Sequence, residues 1–256
     1  MSSLPSALPA STDRFDRINS PPAYLQIADA IEAEIVSGRI RPGETIGTEA
    51  ALVGQFGVDR KTVREGIRCL EQSGLLCRGA GRRLIVSLPH YKKLATRISR
   101  AHVLHEVTFR ELYEAIDMLE RNAIELAVEH RTEADLAAIA DNIDRTRAAI
   151  TDFDLLPALD TEFHALIAKA AANRVLELAR EPASLLIYSA TKVIFESVSE
   201  AAPRLLVAHV AMLDTLHRRD LDAARLWMRR HVADFGKGFK RTGRSLDEPV
   251  DRWPAQ

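Results

Sequence analysis

Residues 48–86 read TEAALVGQFGVDRKTVREGIRCLEQSGLLCRGAGRRLIV, and this stretch decides the fold. Thr48 has the side chain of a helix N-cap, and the segment up to Gly57 is long enough for a short helix. Gly57-Val58 is a compact link. Asp59 can cap a second helix, with Val58 and Val63 at the spacing of a hydrophobic staple. Val63, Ile67 and Leu70 recur at intervals of three and four and form the buried stripe of that helix, which stops at Gly74. Arg60, Lys61, Arg64 and Arg68 fall on the opposite face. Beyond Gly74, LLCRGAGRRLIVSL reads as two short strands around a glycine-rich turn. Helix, tight turn, basic helix and hairpin make a winged helix-turn-helix. Such a unit lays its second helix in the major groove of DNA, where arginines fork onto guanine or phosphate. The turn at Gly79, Ala80 and Gly81 would carry Arg82 and Arg83 toward the minor groove.

Working outward, residues 24–36 place Leu25, Ala28, Ile31 and Ile35 on one helical face, and Gly38, Pro42 and Gly43 end that helix. From residue 89 the chain is helical in pattern almost throughout. Apolar spacing of three and four runs near 90–103, 108–130, 133–150, 155–172, 174–180, 182–198, 202–218 and 221–238, with breaks at Asn173, Pro182, Pro203 and Asp220. The predicted fold is mainly α: an N-terminal winged helix-turn-helix followed by an all-helical, effector-binding bundle of six or seven helices. The expected organisation is a flexible arm over 1–22, a DNA-binding domain over 23–88, a metal- and effector-binding helical domain over 89–240, and a disordered tail over 241–256.

The charge distribution agrees with this division. The 256 residues carry 35 basic and 36 acidic side chains, a net charge of −1, which excludes a chain that binds nucleic acid through overall basicity. Between residues 59 and 83, however, seven basic residues face three acidic ones. That local balance of +4 leaves −5 to the rest. An isolated basic helix is as often a solvated face as a DNA reader; here turn, staple, wing and charge coincide. Two cysteines, Cys69 and Cys77, suit a reducing compartment, and no apolar run approaches the length of a membrane span, so a cytoplasmic protein with no membrane partner is expected.

The helical part contains a second constellation. Asp160 and His164 are four residues apart and share a face bordered by Leu156, Phe163 and Ile167. His209 lies in the stripe Leu205, Leu206, Leu213 and Leu216, and His231 in the stripe Ala224, Trp227 and Phe235. A single histidine on an apolar face is usually a satisfied core residue. Three histidines and an aspartate pointing inward from three helices would be satisfied together by one divalent cation, since an isolated buried carboxylate is costly. Zinc, nickel, manganese or iron suits this donor set. Periodicity alone leaves the choice between core histidines and metal ligands open.

Residues 24–87 resemble the winged-helix domain of the GntR family of bacterial transcription regulators, through GRIRPGE, Glu49 and Leu52, the GV-R–VRE pattern at Gly57, Val58, Arg60 and Val63–Glu65, and the following L-xxx-GLL. The resemblance implies that Arg60 and Arg64 contact operator DNA, that Thr62 contacts phosphate, and that the turn at Gly81 enters the minor groove. Ala50, Asp59, Gly66 and Arg83 depart from the family pattern, with Gly66 costing about 1 kcal/mol of helix propensity against alanine. Residues 90–238 resemble the FCD effector domain of the FadR subfamily, through LYEAIDMLERNAIELA, DTEFHALIAKAAAN and AHVAMLDTLHRRDLDAARLWMRRHV. That resemblance implies a metal, zinc foremost, on Asp160, His164, His209 and His231. It further implies a small carboxylate effector at or near the metal, and a homodimer on a palindromic operator. Ile116 stands where the family usually has arginine; Arg110 or Arg121 are the candidate substitutes. The extra segment before residue 108 favours seven helices.

Two other readings remain. A helical metalloenzyme would need an acid or base beside the metal, for which Glu162 and Glu196 are candidates. A regulator sensing the metal itself would need no organic ligand. No nucleophile elbow or phosphate-cradling glycine loop is present in the sequence, so it is not expected to be an enzyme.

Overall fold

A computed structural model of the chain describes residues 20–88 and 91–251, side chains at 91–93 excepted. The arm expected over 1–22 lies outside the described residues as far as residue 19. The chain divides into two compact units, Met1–Pro89 and His90–Gln256.

The first unit runs α1 (Ala23–Val36), β1 (Thr45–Thr48), α2 (Glu49–Phe56), α3 (Arg60–Ser73), β2 (Leu76–Arg78), a single 3₁₀ turn (Ala80–Arg82) and β3 (Arg83–Val86). Local chemistry sets the helix ends. The Ala51 amide donates to the Thr48 side chain, and the Thr62 amide to Asp59. Gly57 closes α2 at φ +64° and Gly74 closes α3 at φ +83°, a left-handed conformation that glycine adopts without strain. Ile27, Ala28 and Ile31 of α1 pack with Val63, Ile67 and Leu70 of α3 over Leu52, Leu76, Leu84 and Val86. The antiparallel sheet has the order β1-β3-β2, so sequence pattern missed one strand, β1. Its four residues, TIGT, lack apolar alternation, and only pairing with β3 makes them a strand. Gly66 has a reason that propensity did not supply: a Cβ there would lie 2.8 Å from the Tyr24 carbonyl oxygen. The bare backbone lets α1 and α3 approach.

Among the described residues the second unit has seven helices: α4 (Tyr91–Leu104), α5 (Phe109–His130), α6 (Glu133–Ala148), α7 (Leu156–Ala170), α8 (Arg174–Ser197), α9 (Ala201–Arg218) and α10 (Leu221–Arg241). Reciprocal capping boxes at Thr108/Glu111 and Thr132/Asp135 start α5 and α6, and Asn173 and Asp220 cap α8 and α10. Ile124, Ile139, Phe163, Ile167, Met212, Leu216 and Met228 form one contiguous core. No helix among the described residues is long and apolar enough to cross a membrane.

Two expectations are corrected here. The break expected at Pro182 does not occur, because α8 continues through it. An interior proline costs about 3 kcal/mol by removing a hydrogen bond and crowding the preceding turn. Burial of Leu176, Ala183, Leu186 and Ala190 on either side offsets that cost. The tail expected to be disordered is packed as far as residue 251. Leu246 and Val250 are buried with Phe109 and Phe239. The Phe109 amide donates to the Glu248 carbonyl, and the Val250 amide to the Val107 carbonyl. Arg244 lies over the rings of Phe109 and Phe239 and pairs with Asp251 at 2.7 Å. The segment lacks periodicity because it is a strap of turns with no helical face.

Replacing Gly66 with alanine should destabilise the first unit by about 1–3 kcal/mol despite the better helix former, through overpacking against α1. Leu246→Ala should cost the second unit about 2–4 kcal/mol. Urea unfolding checks both; a Gly66→Ala protein at least as stable as the parent would contradict the close approach of α1 and α3.

Candidate metal and nucleic-acid sites

In the first unit the apolar stripe of α3 is wholly buried, so its other face is left to solvent. Arg60, Lys61, Arg64 and Arg68 are all exposed there. Thr62 is half-buried, and its hydroxyl donates to Asp59 Oδ2 at 2.6 Å. That hydroxyl therefore serves the cap in this state. Gly81 and Arg82 both take left-handed backbone at the wing turn, at φ +68° and +62°, and Gly81, Arg82 and Arg83 are exposed. Pattern reading missed the part played by Glu49. Its carboxylate accepts from Arg78 Nη1 at 3.0 Å and lies 3.8 Å from Arg60 Nε, while Arg78 Nε also pairs with Glu71 at 2.8 Å. Glu49 thus ties the start of α2 to β2 and leans on the first arginine of α3.

In the second unit the four residues singled out from the sequence meet. Asp160 and His164 come from α7, His209 from α9 and His231 from α10. One ligand atom from each lies within 4.8 Å of all the others. Asp160 Oδ1 is 3.3 Å from His209 Nε2, 3.7 Å from His164 Nε2 and 3.8 Å from His231 Nε2. His164 Nε2 and His231 Nε2 are 2.9 Å apart. Donor atoms about 2.0–2.1 Å from a tetrahedral ion stand roughly 3.3 Å from one another, so these separations fit a single cation. Asp160 Oδ1 and both ring nitrogens of His209 are buried without a hydrogen-bond partner. Of these, Asp160 Oδ1 and His209 Nε2 lie 3.3 Å apart, and buried lone pairs brought together in this way are what a cation would satisfy. Phe163 stacks on His209, with ring centroids 3.5 Å apart, and fixes its plane.

Behind the quartet lies a pair that sequence reading did not connect. Glu120 on α5 accepts from His164 Nδ1 at 2.8 Å through one oxygen and from Arg180 Nε on α8 at 2.7 Å through the other. All three side chains are buried. The hydrogen bond fixes the His164 ring with Nε2 toward the other ligands. Glu120 and Arg180 are 60 residues apart, and no local spacing could link them.

The electrostatics follow from burial and these contacts. Burial opposes the charge on Glu120, but His164 and Arg180 outweigh it and bring its pKa down to about 2. Asp160 is likewise held ionised: burial works against its charge, and the His209 contact and the neighbouring imidazoles overcome it. Burial lowers the pKa of His209, and burial together with His164 lowers that of His231 to about 3, so both rings are neutral. His164 differs: burial disfavours its charge, but Glu120 and Asp160 raise its pKa above the ordinary value. Without a cation, a proton on His164 Nε2 can donate to His231 Nε2.

A cavity of about 110 Å³ adjoins the quartet, with Asp160, His164 and His231 in its wall. Ile116 lines it where resemblance led us to look for arginine. Neither suggested substitute is in its wall, since exposed Arg110 pairs with Asp247 and exposed Arg121 with Asp117. The acids suggested for a metalloenzyme are also elsewhere: half-buried Glu162 pairs with Arg145, and exposed Glu196 lies 3.7 Å from Lys192.

Residues 23–86 match the family described as bacterial regulatory proteins, gntR family, and residues 111–234 match the FCD domain. The chain is 30% identical over 154 residues to the HTH-type transcriptional regulator LutR of Bacillus subtilis (strain 168), covering 60% of this chain and 70% of that protein. It is 27% identical over 216 residues to the uncharacterized HTH-type transcriptional regulator YdhC of the same organism, covering 83% and 89%. It is 24% identical over 221 residues to the HTH-type transcriptional repressor NanR of Salmonella newport (strain SL254), covering 83% and 85%. Among solved structures, Streptococcus agalactiae GntR shares the fold with a TM-score of 0.58 at 21% identity, covering 82% of this chain and 98% of that one.

The pKa shifts set an acid limit on metal-stripped protein. His231 is depressed to about 3 from 6.5, so unfolding takes up a proton between those values, and stability falls as pH drops below about 6.5. Glu120 adds a second loss below about 4.5, complete near 2. His164, being raised, contributes fully below 6.5 and loses its contribution as pH rises through its folded pKa. In EDTA, unfolding free energy should fall by up to about 1.4 kcal/mol per pH unit for each such proton below pH 6.5. His231→Gln should flatten the slope between pH 6.5 and 4.5. An unchanged slope in that variant would remove His231 from the account.

Proposed function

This chain belongs to the GntR family of bacterial transcription regulators, with an FCD domain following its winged helix, and on that premise we propose that it is a ligand-responsive regulator that binds a palindromic operator as a homodimer. The matched families and named relatives are regulators, and the chain is not an enzyme. The observation that carries the DNA-binding assignment is α3: its apolar face is fully buried while Arg60, Lys61 and Arg64 are exposed on its first two turns. Arg60 and Arg64 read base edges or phosphates in the major groove, Lys61 and the Thr62 position meet the backbone, and Gly81, Arg82 and Arg83 reach the minor groove. A single recognition helix spans too few base pairs for specificity, which is the physical reason for a dimer on a palindrome. The setting for such a protein is the cytoplasm.

Asp160, His164, His209 and His231 hold a divalent cation, zinc by preference for a donor set of three imidazoles and a carboxylate, with nickel, manganese or iron as alternatives. When bound, the cation neutralises Asp160 and supplies a Lewis-acidic point toward the cavity. The effector is a small organic carboxylate, as the resemblance to the FadR subfamily implies. Its binding changes operator affinity, and a coupling of about 1–3 kcal/mol is enough to alter occupancy roughly tenfold or more.

Selection of fragmented source-genome DNA on the purified protein should enrich one palindrome. Arg64→Ala should weaken binding to that palindrome by about tenfold or more, as measured by fluorescence anisotropy. An unchanged affinity would remove α3 from the interface. His209→Ala should lower the metal content of the purified protein well below one ion per chain. Full metal content in that variant would mean the ligands lie elsewhere.

A further inference from the structure

We propose that Arg180 is the anion anchor of the cavity beside the quartet, and that the carboxylate it holds carries an apolar rather than a polyhydroxylated body. This rests on the effector reading above and adds the anchoring residue and the character of the ligand's body. Arg180 is only 5% exposed, and its Nε is spent on Glu120. Its Nη1 is buried without a partner. A guanidinium N–H left unsatisfied in the interior carries a desolvation cost that an incoming carboxylate oxygen would relieve. The other cations of the cavity wall are already paired. Arg204 grips Asp234 through two nitrogens, Lys237 lies 3.5 Å from the same carboxylate, and Arg241 lies 3.5 Å from Glu200. Arg180 thus supplies from α8 the charge absent at Ile116 on α5.

The rest of the wall is largely apolar, with Ile116, Ile187, Ile194, Val198, Leu205 and Phe235. The hydroxyls of Thr161, Ser184 and Thr191 donate to backbone carbonyls of their own helices, at 2.9, 2.8 and 3.0 Å, so their protons are not offered to a ligand. A polyhydroxylated acid would leave its hydroxyls poorly matched.

The test uses full-length, metal-loaded protein with three probes: isovalerate, its neutral amide isovaleramide, and gluconate. Calorimetric titration should show isovalerate binding about tenfold or more tightly than either of the others. Arg180→Gln should lose the preference for acid over amide, and Arg180→Lys should keep it. Equal binding of acid and amide to the parent, tighter binding of gluconate, or an Arg180→Gln protein that keeps the preference overturns the proposal. Operator affinity with and without isovalerate keeps the two readings apart. Binding through Arg180 with operator affinity unchanged upholds the anchor and sinks the effector reading. A protein that holds metal and operator but does not bind isovalerate sinks the anchor and leaves the regulator standing.

Discussion

Two ionised carboxylates inside a helical bundle impose the constraint from which the second unit follows. Glu120 and the Oδ1 atom of half-buried Asp160 are out of reach of solvent, and both carboxylates are held in the charged form. Each would be untenable alone in an apolar interior. Glu120 is tolerated because Arg180 and His164 occupy both of its oxygens. Asp160 is tolerated because three imidazole nitrogens surround one of its oxygens. The two arrangements share His164, whose Nδ1 serves one carboxylate and whose Nε2 faces the other. Five helices, α5, α7, α8, α9 and α10, must therefore keep their relative positions for both charges to be accommodated.

The same constraint accounts for the chemistry of the site. Neutral His209 and His231 beside an ionised Asp160 is the protonation pattern a divalent cation requires of its ligands. Burial produces it for the two histidines, and the imidazoles produce it for the aspartate. Glu120 orients the one histidine whose proton must leave. The DNA-facing surface is organised on a different principle. There the arginines of α3 stay in water, and carboxylates such as Glu49 and Asp59 touch that face only to set the frame of α2 and the start of α3.

Legibility from sequence differed between these features for physical reasons. Helix starts at Thr48, Asp59, Thr108, Thr132 and Asp220 were readable in principle because a cap acts over three residues. The convergence of Asp160, His164, His209 and His231 was suggested because each lies in an apolar stripe, and a stripe turns inward whatever the fold. Strand β1 was not legible, since its residues are polar or small and its pairing partner lies some forty positions away. Nor was the strap over 242–251, whose burial depends on the Phe109 and Phe239 rings that it covers. Pro182 misled because its local cost is real, and only packing on both sides of it keeps α8 whole.

By itself the sequence determined the two-part organisation, the basic helix with its buried opposite face, and the identity of the four inward donors, because periodicity, capping and local charge are properties of neighbouring residues. Tertiary structure alone decided that Glu120 and Arg180 meet across 60 residues, that Ile116 and Arg180 line one cavity, and that Glu162, Glu196, Arg110 and Arg121 stand away from it. Those relations arise where helices cross. A crossing is set by the packing of whole faces, which no single stretch of chain encodes.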